Sequence, residues 1–268
     1  MDQYCKLPTN IKSLDELTNG GIILNGINVI AARCDNGKSI LSTMIGVSLF
    51  KTGHKVLFID IQDSGTIRLI SIYHTLLNIE LGANINSCDL STLVSNFQTN
   101  GGSINIDSMA HRNINLNDLL KYISNVYNET KFDVLIIDGI ESIIGYNKSD
   151  IIKLGEFNDN KNITTILPMQ LNRNLMNITL SNGYIMYSDL VIIIKPILKK
   201  INIFEFNLIK NRIGKTNSLN VKYMPRKFIV KNLSLIDKIR LYISQLFIII
   251  KNLSFIDNIR LKIYNIFK

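Results

Sequence analysis

Ala32-Arg33-Cys34-Asp35-Asn36-Gly37-Lys38-Ser39 is the stretch of this 268-residue chain from which the fold can be read. It follows the spacing G-x-x-x-x-G-K-[ST], with Ala32 in place of the first glycine. The pattern serves a triphosphate. Backbone N–H groups of the loop face the phosphates, and a helix start adds its positive end. A flexible cation, Lys38, reaches the outer phosphates, and a hydroxyl, Ser39, holds Mg²⁺. Gly37 lets the backbone approach without a Cβ in the way.

The flanks give the loop its required context. Ile27 to Ala31 reads as a short buried strand entering it. From Ser39 to Lys51, apolar residues at Leu41, Met44, Ile45, Val47, Leu49 and Phe50 suit a buried helix. Strand, loop and helix in that order separate the motif from a chance Gly-Lys-Ser in a turn. Further continuous apolar runs follow at 56–59, 134–137, 163–167 and 190–194, with a short strand at 104–106. Helical patterns at 66–77 and 116–126, and a less clear one near 89–97, lie between them. Such runs predict an α/β fold around a mainly parallel sheet buried on both faces. Residues 202–209, 219–223 and 228–230 read as strands joined by polar turns, a hairpin-like end to the sheet. Before the loop, Ser13 and Glu16 predict a capped helix ended by Asn19-Gly20-Gly21.

Charge is unevenly spread. Residues 195–268 hold 16 Lys/Arg against 3 Asp/Glu, while residues 1–194 hold 14 against 18. A basic C-terminal third on a mildly acidic core suggests a polyanion, with nucleic acid the first candidate and an anionic membrane surface the second. Cys5, Cys34 and Cys88 have no metal or disulfide spacing, and the start lacks the apolar core of a signal peptide. The expected setting is therefore cytoplasmic, and no membrane partner is expected. His54, His74 and His111 form no constellation and read as structural.

The last residues repeat. Lys231-Asn232-Leu233-Ser234-Leu235-Ile236-Asp237 returns twenty positions later as Lys251-Asn252-Leu253-Ser254-Phe255-Ile256-Asp257. Each copy opens with a Ser-x-x-Asp cap and carries isoleucines on one helical face, Ile236, Ile239 and Ile243 in the first. The expected division is 1–230 for the nucleotide-binding unit and 231–268 for a basic helical extension.

Two more strand ends add chemistry. Val134-Leu135-Ile136-Ile137-Asp138 places a carboxylate where it can hold the Mg²⁺ shell. Thr165-Ile166-Leu167-Pro168-Met169-Gln170-Leu171-Asn172-Arg173 ends a strand on Gln170. With these in hand, residues 8–230 resemble the C-terminal, RecA-like ATPase domain of the DnaB-like replicative DNA helicases. Residues Ile11 to Gly21 resemble that family's entry motif, and Ala31-Ala32-Arg33 before Gly37-Lys38-Ser39 resembles its phosphate loop. Asp138 matches the family's metal-holding acid and Gln170 its polar sensor. Lys210-Asn211-Arg212 resembles the Lys-x-Arg that reaches a neighbouring subunit's nucleotide. The resemblance implies a RecA-like P-loop NTPase that binds ATP and Mg²⁺ and works as a homo-oligomer, a hexameric ring in that family. It also implies single-stranded DNA and other replication proteins as partners.

Departures limit what the resemblance implies. The family's catalytic glutamate position holds Gln62, and an amide orients water but takes no proton. Asp60, on the same side of an extended strand, or Asp63 is the substitute open to this chain. The family's N-terminal helical domain is absent from the 268 residues, and the segment from Asp138 to Gln170, which normally supplies DNA-facing loops, is short. Two functions therefore stand: an ATP-driven DNA helicase or translocase, and an ATP- and DNA-binding accessory protein with weak or no hydrolysis.

Overall fold

The computed structural model describes residues 5–62, 65–77, 101–110, 113–145, 147, 150–171 and 182–245. The helix expected near 89–97, Cys88, His111, Asp63 and the second repeat copy lie outside them. β1 (Lys6–Leu7) and β2 (Ile22–Ile23) make a small antiparallel pair around α1 (Lys12–Thr18). The main sheet has β3 (Ile27–Ala32), β4 (Lys55–Asp60), β5 (Ser103–Ser108), β6 (Val134–Asp138) and β7 (Thr164–Gln170). It continues with β8 (Leu190–Leu198), β9 (Ile203–Asn211), β10 (Asn217–Met224) and β11 (Ile229–Asn232). Their spatial order is β11-β10-β9-β8-β3-β7-β6-β4-β5. Strands β8, β3, β7, β6, β4 and β5 run parallel, and β9 to β11 add an antiparallel meander beside β8. This is the RecA-like α/β architecture the motifs implied.

The pleat sorts the apolar strands into two cores. Phe58, Val134, Ile136 and Ile166 face one core, shared with α2 (Lys38–Lys51) and Ile72 of α3 (Gly65–Leu77). Leu57, Ile59, Leu135, Ile137 and Leu167 face the other, filled by α4 (Leu116–Glu129) and α5 (Asp150–Lys161). Helix α2 lies close on the sheet because of Gly46: a Cβ there would overlap the Phe58 ring and stand 2.7 Å from Ile136. Leu116, Leu119 and Ile123 form the buried stripe of α4, whose Asn115 accepts the Asp118 N–H as a cap. A short α6 (Asn182–Tyr187) precedes β8.

Two local expectations shift here, and a third, at Asp60, shifts within the site. Helix α1 starts at Lys12 with no side-chain cap at Ile11, so Ser13 is not its cap. Asp15 turns back instead and accepts from the Thr9 and Asn10 N–H groups and the Thr9 hydroxyl, which outcompetes a Ser13–Glu16 box. The sheet runs past 230, since β11 pairs Asn232 with Val221.

The first repeat copy does form a helix, α7, over 235–245. Its Ser234 and Asp237 cap each other: the Ser234 hydroxyl donates to Asp237 at 2.7 Å and the Asp237 N–H to Ser234 at 3.2 Å. Asp237 also accepts from Lys222 of β10 at 3.0 Å, which latches α7 to the sheet. Leu241 is buried, whereas Ile236, Ile239 and Ile243 are exposed.

Candidate functional site

Every parallel strand that contributes to the site does so at its C-terminal end. Ala32 leaves β3 in register with Gln170 of β7, and Asp60 of β4 stands in register with Asp138 of β6. Ligands of open α/β sheets collect at this edge. In the loop, Asp35 and Gly37 take left-handed conformations (φ 61° and 82°), while Arg33, Cys34 and Asp35 are exposed and Asn36 is buried. Gly37 caps α2 with no side-chain bond. The first N–H groups of a fourteen-residue helix are thus left for an anion.

The space at Gly37 is as restrictive as its φ. Tyr223, fully buried on β10, donates its hydroxyl to the Gly37 carbonyl at 2.5 Å. Burial pushes that phenol's pKa up, so it stays a donor. A Cβ on Gly37 would overlap the same hydroxyl and stand 2.8 Å from Pro225. The antiparallel meander therefore braces the loop from outside the parallel core.

Parity decides the charge layout. Asp60 and Asp138 share the pleat of Phe58 and Ile136, so both point toward α2 and α3. Lys38 approaches Asp138 Oδ1 at 3.5 Å and the Ser39 hydroxyl at 3.4 Å. Arg68 of α3 binds both carboxylates. Its Nε and Nη2 donate to Asp60 Oδ2 at 3.3 and 3.0 Å, and Nη2 also donates to Asp138 Oδ2. Its Nη1 donates to the Ser39 carbonyl at 3.1 Å and the Thr43 hydroxyl at 2.8 Å. Burial pushes the Asp138 carboxyl up, but the charges of Arg68 and Lys38 and a Ser39 hydrogen bond outweigh it and hold it below the ordinary range. Burial likewise opposes the Arg68 charge, and the two carboxylates more than restore it.

Asp60 is thereby corrected as a substitute base: it is buried and committed to Arg68. Strand β4 ends at Asp60, so the pleat does not carry on to Gln62. Gln62 turns outward, and its amide donates to the Ser142 hydroxyl at 2.7 Å. Gln170 ends β7 exposed beside the loop, and its backbone N–H donates to Glu141 at 3.0 Å. Sequence reasoning missed Arg68 and Glu141.

Lys210 and Arg212 are not brought to this loop. Lys210 pairs across from Val191, which pairs with Val29, and the Arg212 N–H donates to the Asp189 carbonyl at the start of β8. They therefore sit at the opposite edge of the sheet, roughly 15 Å along the strands from Ala32. Lys210 donates to the carbonyls of Ile185 and Met186 at 2.6 and 2.8 Å. Burial, with the Arg212 charge beside it, lowers the Lys210 pKa against the pull of Asp189. Arg212 is largely exposed and pairs with Asp189 at 2.5 Å.

The residues fit Mg²⁺. Ser39 and Asp138 offer a hydroxyl and an ionised carboxylate, hard oxygen donors within hydrogen-bonding reach of each other. No group of three or more His, Cys, Asp or Glu among the described residues makes a metal cage alone, so the ion would share its ligands with a triphosphate.

Loop, helix start and strand-end carboxylate define a P-loop nucleotide site on a RecA-like fold. A family model described as "ATPase: KaiC" matches residues 7–189, and the chain belongs to that ATPase family. Among solved structures, the ATPase domain of a DnaB-like helicase shares the fold. The TM-score is 0.69 at 14% identity, over 87% of this chain and 93% of that one. Together they support the resemblance to the DnaB-like helicase ATPase domain. A search of curated proteins gives no match. No helix among the described residues is long and apolar enough to cross a membrane.

Proposed function

We propose that this chain is an ATP-driven DNA helicase or translocase domain of the DnaB-like type. In this reading it binds Mg-ATP at residues 32–39 and single-stranded DNA within a homo-oligomeric ring, in DNA replication. One observation carries it: Lys210 and Arg212 lie at the sheet edge opposite the P-loop, where they can serve only another subunit's nucleotide. A P-loop at one edge and cations at the other suit head-to-tail, ring-closing contacts.

In this reading Lys38 and the α2 N–H groups bind the β- and γ-phosphates, and Ser39 and Asp138 hold the Mg²⁺ shell. When bound, Mg²⁺ neutralises phosphate charge. Arg68 keeps Asp138 ionised and fixed. Gln170 faces the γ-phosphate end, and Arg212 with Lys210 of the adjacent subunit stabilises charge as the phosphoryl group leaves. The cleft beside Asp35, lined by Phe204, Met224, Pro225 and Arg226, suits the base end of the nucleotide.

Phosphate release with and without single-stranded DNA, alongside strand separation of a forked duplex, tests this. Stimulated release with unwinding supports it. ATP binding without any DNA association sinks it. A second reading keeps ATP and DNA binding and drops hydrolysis. It is favoured by Gln62, whose amide supplies no base and is engaged by Ser142. DNA binding with no phosphate release at any protein concentration would favour it over the first.

A further inference from the structure

The site has a carboxylate that the motifs do not use. Glu141 stands three residues beyond Asp138, in a 3-10 turn (Ile140–Ser142) that β6 enters directly. The preceding Gly139 takes φ 83° and bends the chain back over the strand ends. One carboxylate oxygen, Oε1, accepts the Gln170 N–H of the neighbouring strand at 3.0 Å. The other, Oε2, is buried and has no hydrogen-bond partner among the described residues. An acceptor in that state is costly unless a ligand or water completes it. Burial raises the Glu141 pKa against the pull of the Lys38 charge, and the Asp138 carboxylate raises it further. Glu141 therefore lies within electrostatic reach of the residue that holds the terminal phosphates. Gln62, whose amide binds Ser142 next in sequence, sits alongside.

We infer that Glu141 is the general base of this site, taking the proton from the water that attacks the γ-phosphate. This rests on the ATP-hydrolysis reading above. The water oxygen forms a bond to the γ-phosphorus while the bond from that phosphorus to the β,γ-bridging oxygen breaks. The electron pair of that bond leaves with ADP, and one water proton passes to Glu141 Oε2. The products are ADP and inorganic phosphate, and the proton is then released to phosphate or solvent. Gln62 orients the water with its amide and Glu141 accepts the proton. The glutamate missing from position 62 is thus replaced from the adjacent strand, with Gln170 N–H fixing its direction.

The test uses the full chain with ATP and Mg²⁺, measuring nucleotide affinity and single-turnover phosphate release separately. E141Q keeps an acceptor for the Gln170 N–H, so the fold and ATP affinity stay within about threefold of wild type. Phosphate release falls about 10²–10⁴-fold, the usual share of a general base. Adding Q62E to E141Q restores part of the rate, since a carboxylate returns beside the same water. If E141Q does not fold, E141D carries the test, with a drop of tenfold or more expected. Release by the tested variant within about threefold of wild type overturns the assignment. So does a wild-type chain that binds ATP and releases no phosphate, which leaves the nucleotide site intact. A wild-type chain that binds no ATP overturns both readings.

Discussion

Replacing Arg68 with methionine removes the one cation that spans two in-register carboxylates. Asp60 and Asp138 are 2% and 5% exposed, and Arg68 is 5% exposed, so none of the three is well hydrated in the folded chain. Like charges opposite each other on adjacent strands repel. Breaking a buried pair by removing one partner costs about 3–5 kcal/mol, because the remaining charge is left uncompensated. Against a total stability of about 5–15 kcal/mol, that lowers the melting temperature on the order of 10 °C. The pH dependence gives the sign. In the wild type, Asp138 is held below its ordinary value of 3.8. Its contribution is present above that value and is lost as pH falls through the lower, folded one. In R68M burial wins, the carboxyls rise, and the folded state binds more protons than the unfolded one. Stability of the variant therefore falls as pH rises, and its gap from wild type narrows from pH 7 toward pH 4. Asp60→Asn in the R68M background recovers part of the loss, leaving Asp138 to Lys38. Urea unfolding at several pH values measures all of this. A loss under about 1 kcal/mol at pH 7, or a gap that pH does not change, refutes the charge-bridge account.

Three further perturbations have defined outcomes. Gly37→Ala forces a side chain into a left-handed conformation and onto the Tyr223 hydroxyl, so ATP binding should be lost; retained affinity in a titration would contradict it. Tyr223→Phe removes only the bond to the Gly37 carbonyl and should cost about 1 kcal/mol in unfolding, with ATP affinity weakened several-fold. Asp237 has its pKa lowered to about 2 by hydrogen bonds from Ser234 and Lys222. Its latch holds above pH 4 and is lost as pH falls through about 2. Asp237→Asn should therefore loosen α7 at neutral pH, seen as faster amide exchange over 235–245 with the rest of the sheet unchanged.

The parallel strands were legible because each is a continuous apolar run, and the loop because its spacing is tied to a strand and a helix. Asp138 followed from its place at a strand end. Arg68 was not legible as a site residue: Ile67-Arg68-Leu69-Ile70 reads as a helix with one surface charge. The usable signal was the pair of strand-end acids, which register brings together and which then need a cation. Glu141 was hidden for a different reason. Gly139 reverses the chain after β6, and no periodicity reports where a side chain points after such a turn. Lys210 and Arg212 were placed by resemblance; their position at the far edge depends on β9 running antiparallel to β8, which spacing alone does not fix. The Ser234–Asp237 cap was legible, while the Ser13–Glu16 cap was not formed, because Asp15 found closer donors in the preceding turn.

The central claim is that the nucleotide site is shared, with the P-loop from one subunit and Arg212 from the next. Mixing two inactive variants tests it most directly. Lys38→Ala removes the phosphate cation and Arg212→Ala the cation in trans, an element worth about 10³–10⁵ in rate. Each variant alone should release almost no phosphate. Mixed in equal amounts, random assembly rebuilds about a quarter of the head-to-tail interfaces with both cations intact. The account predicts phosphate release from the mixture far above that of either variant. A mixture no more active than its two components, with both variants folded and assembled, would contradict it.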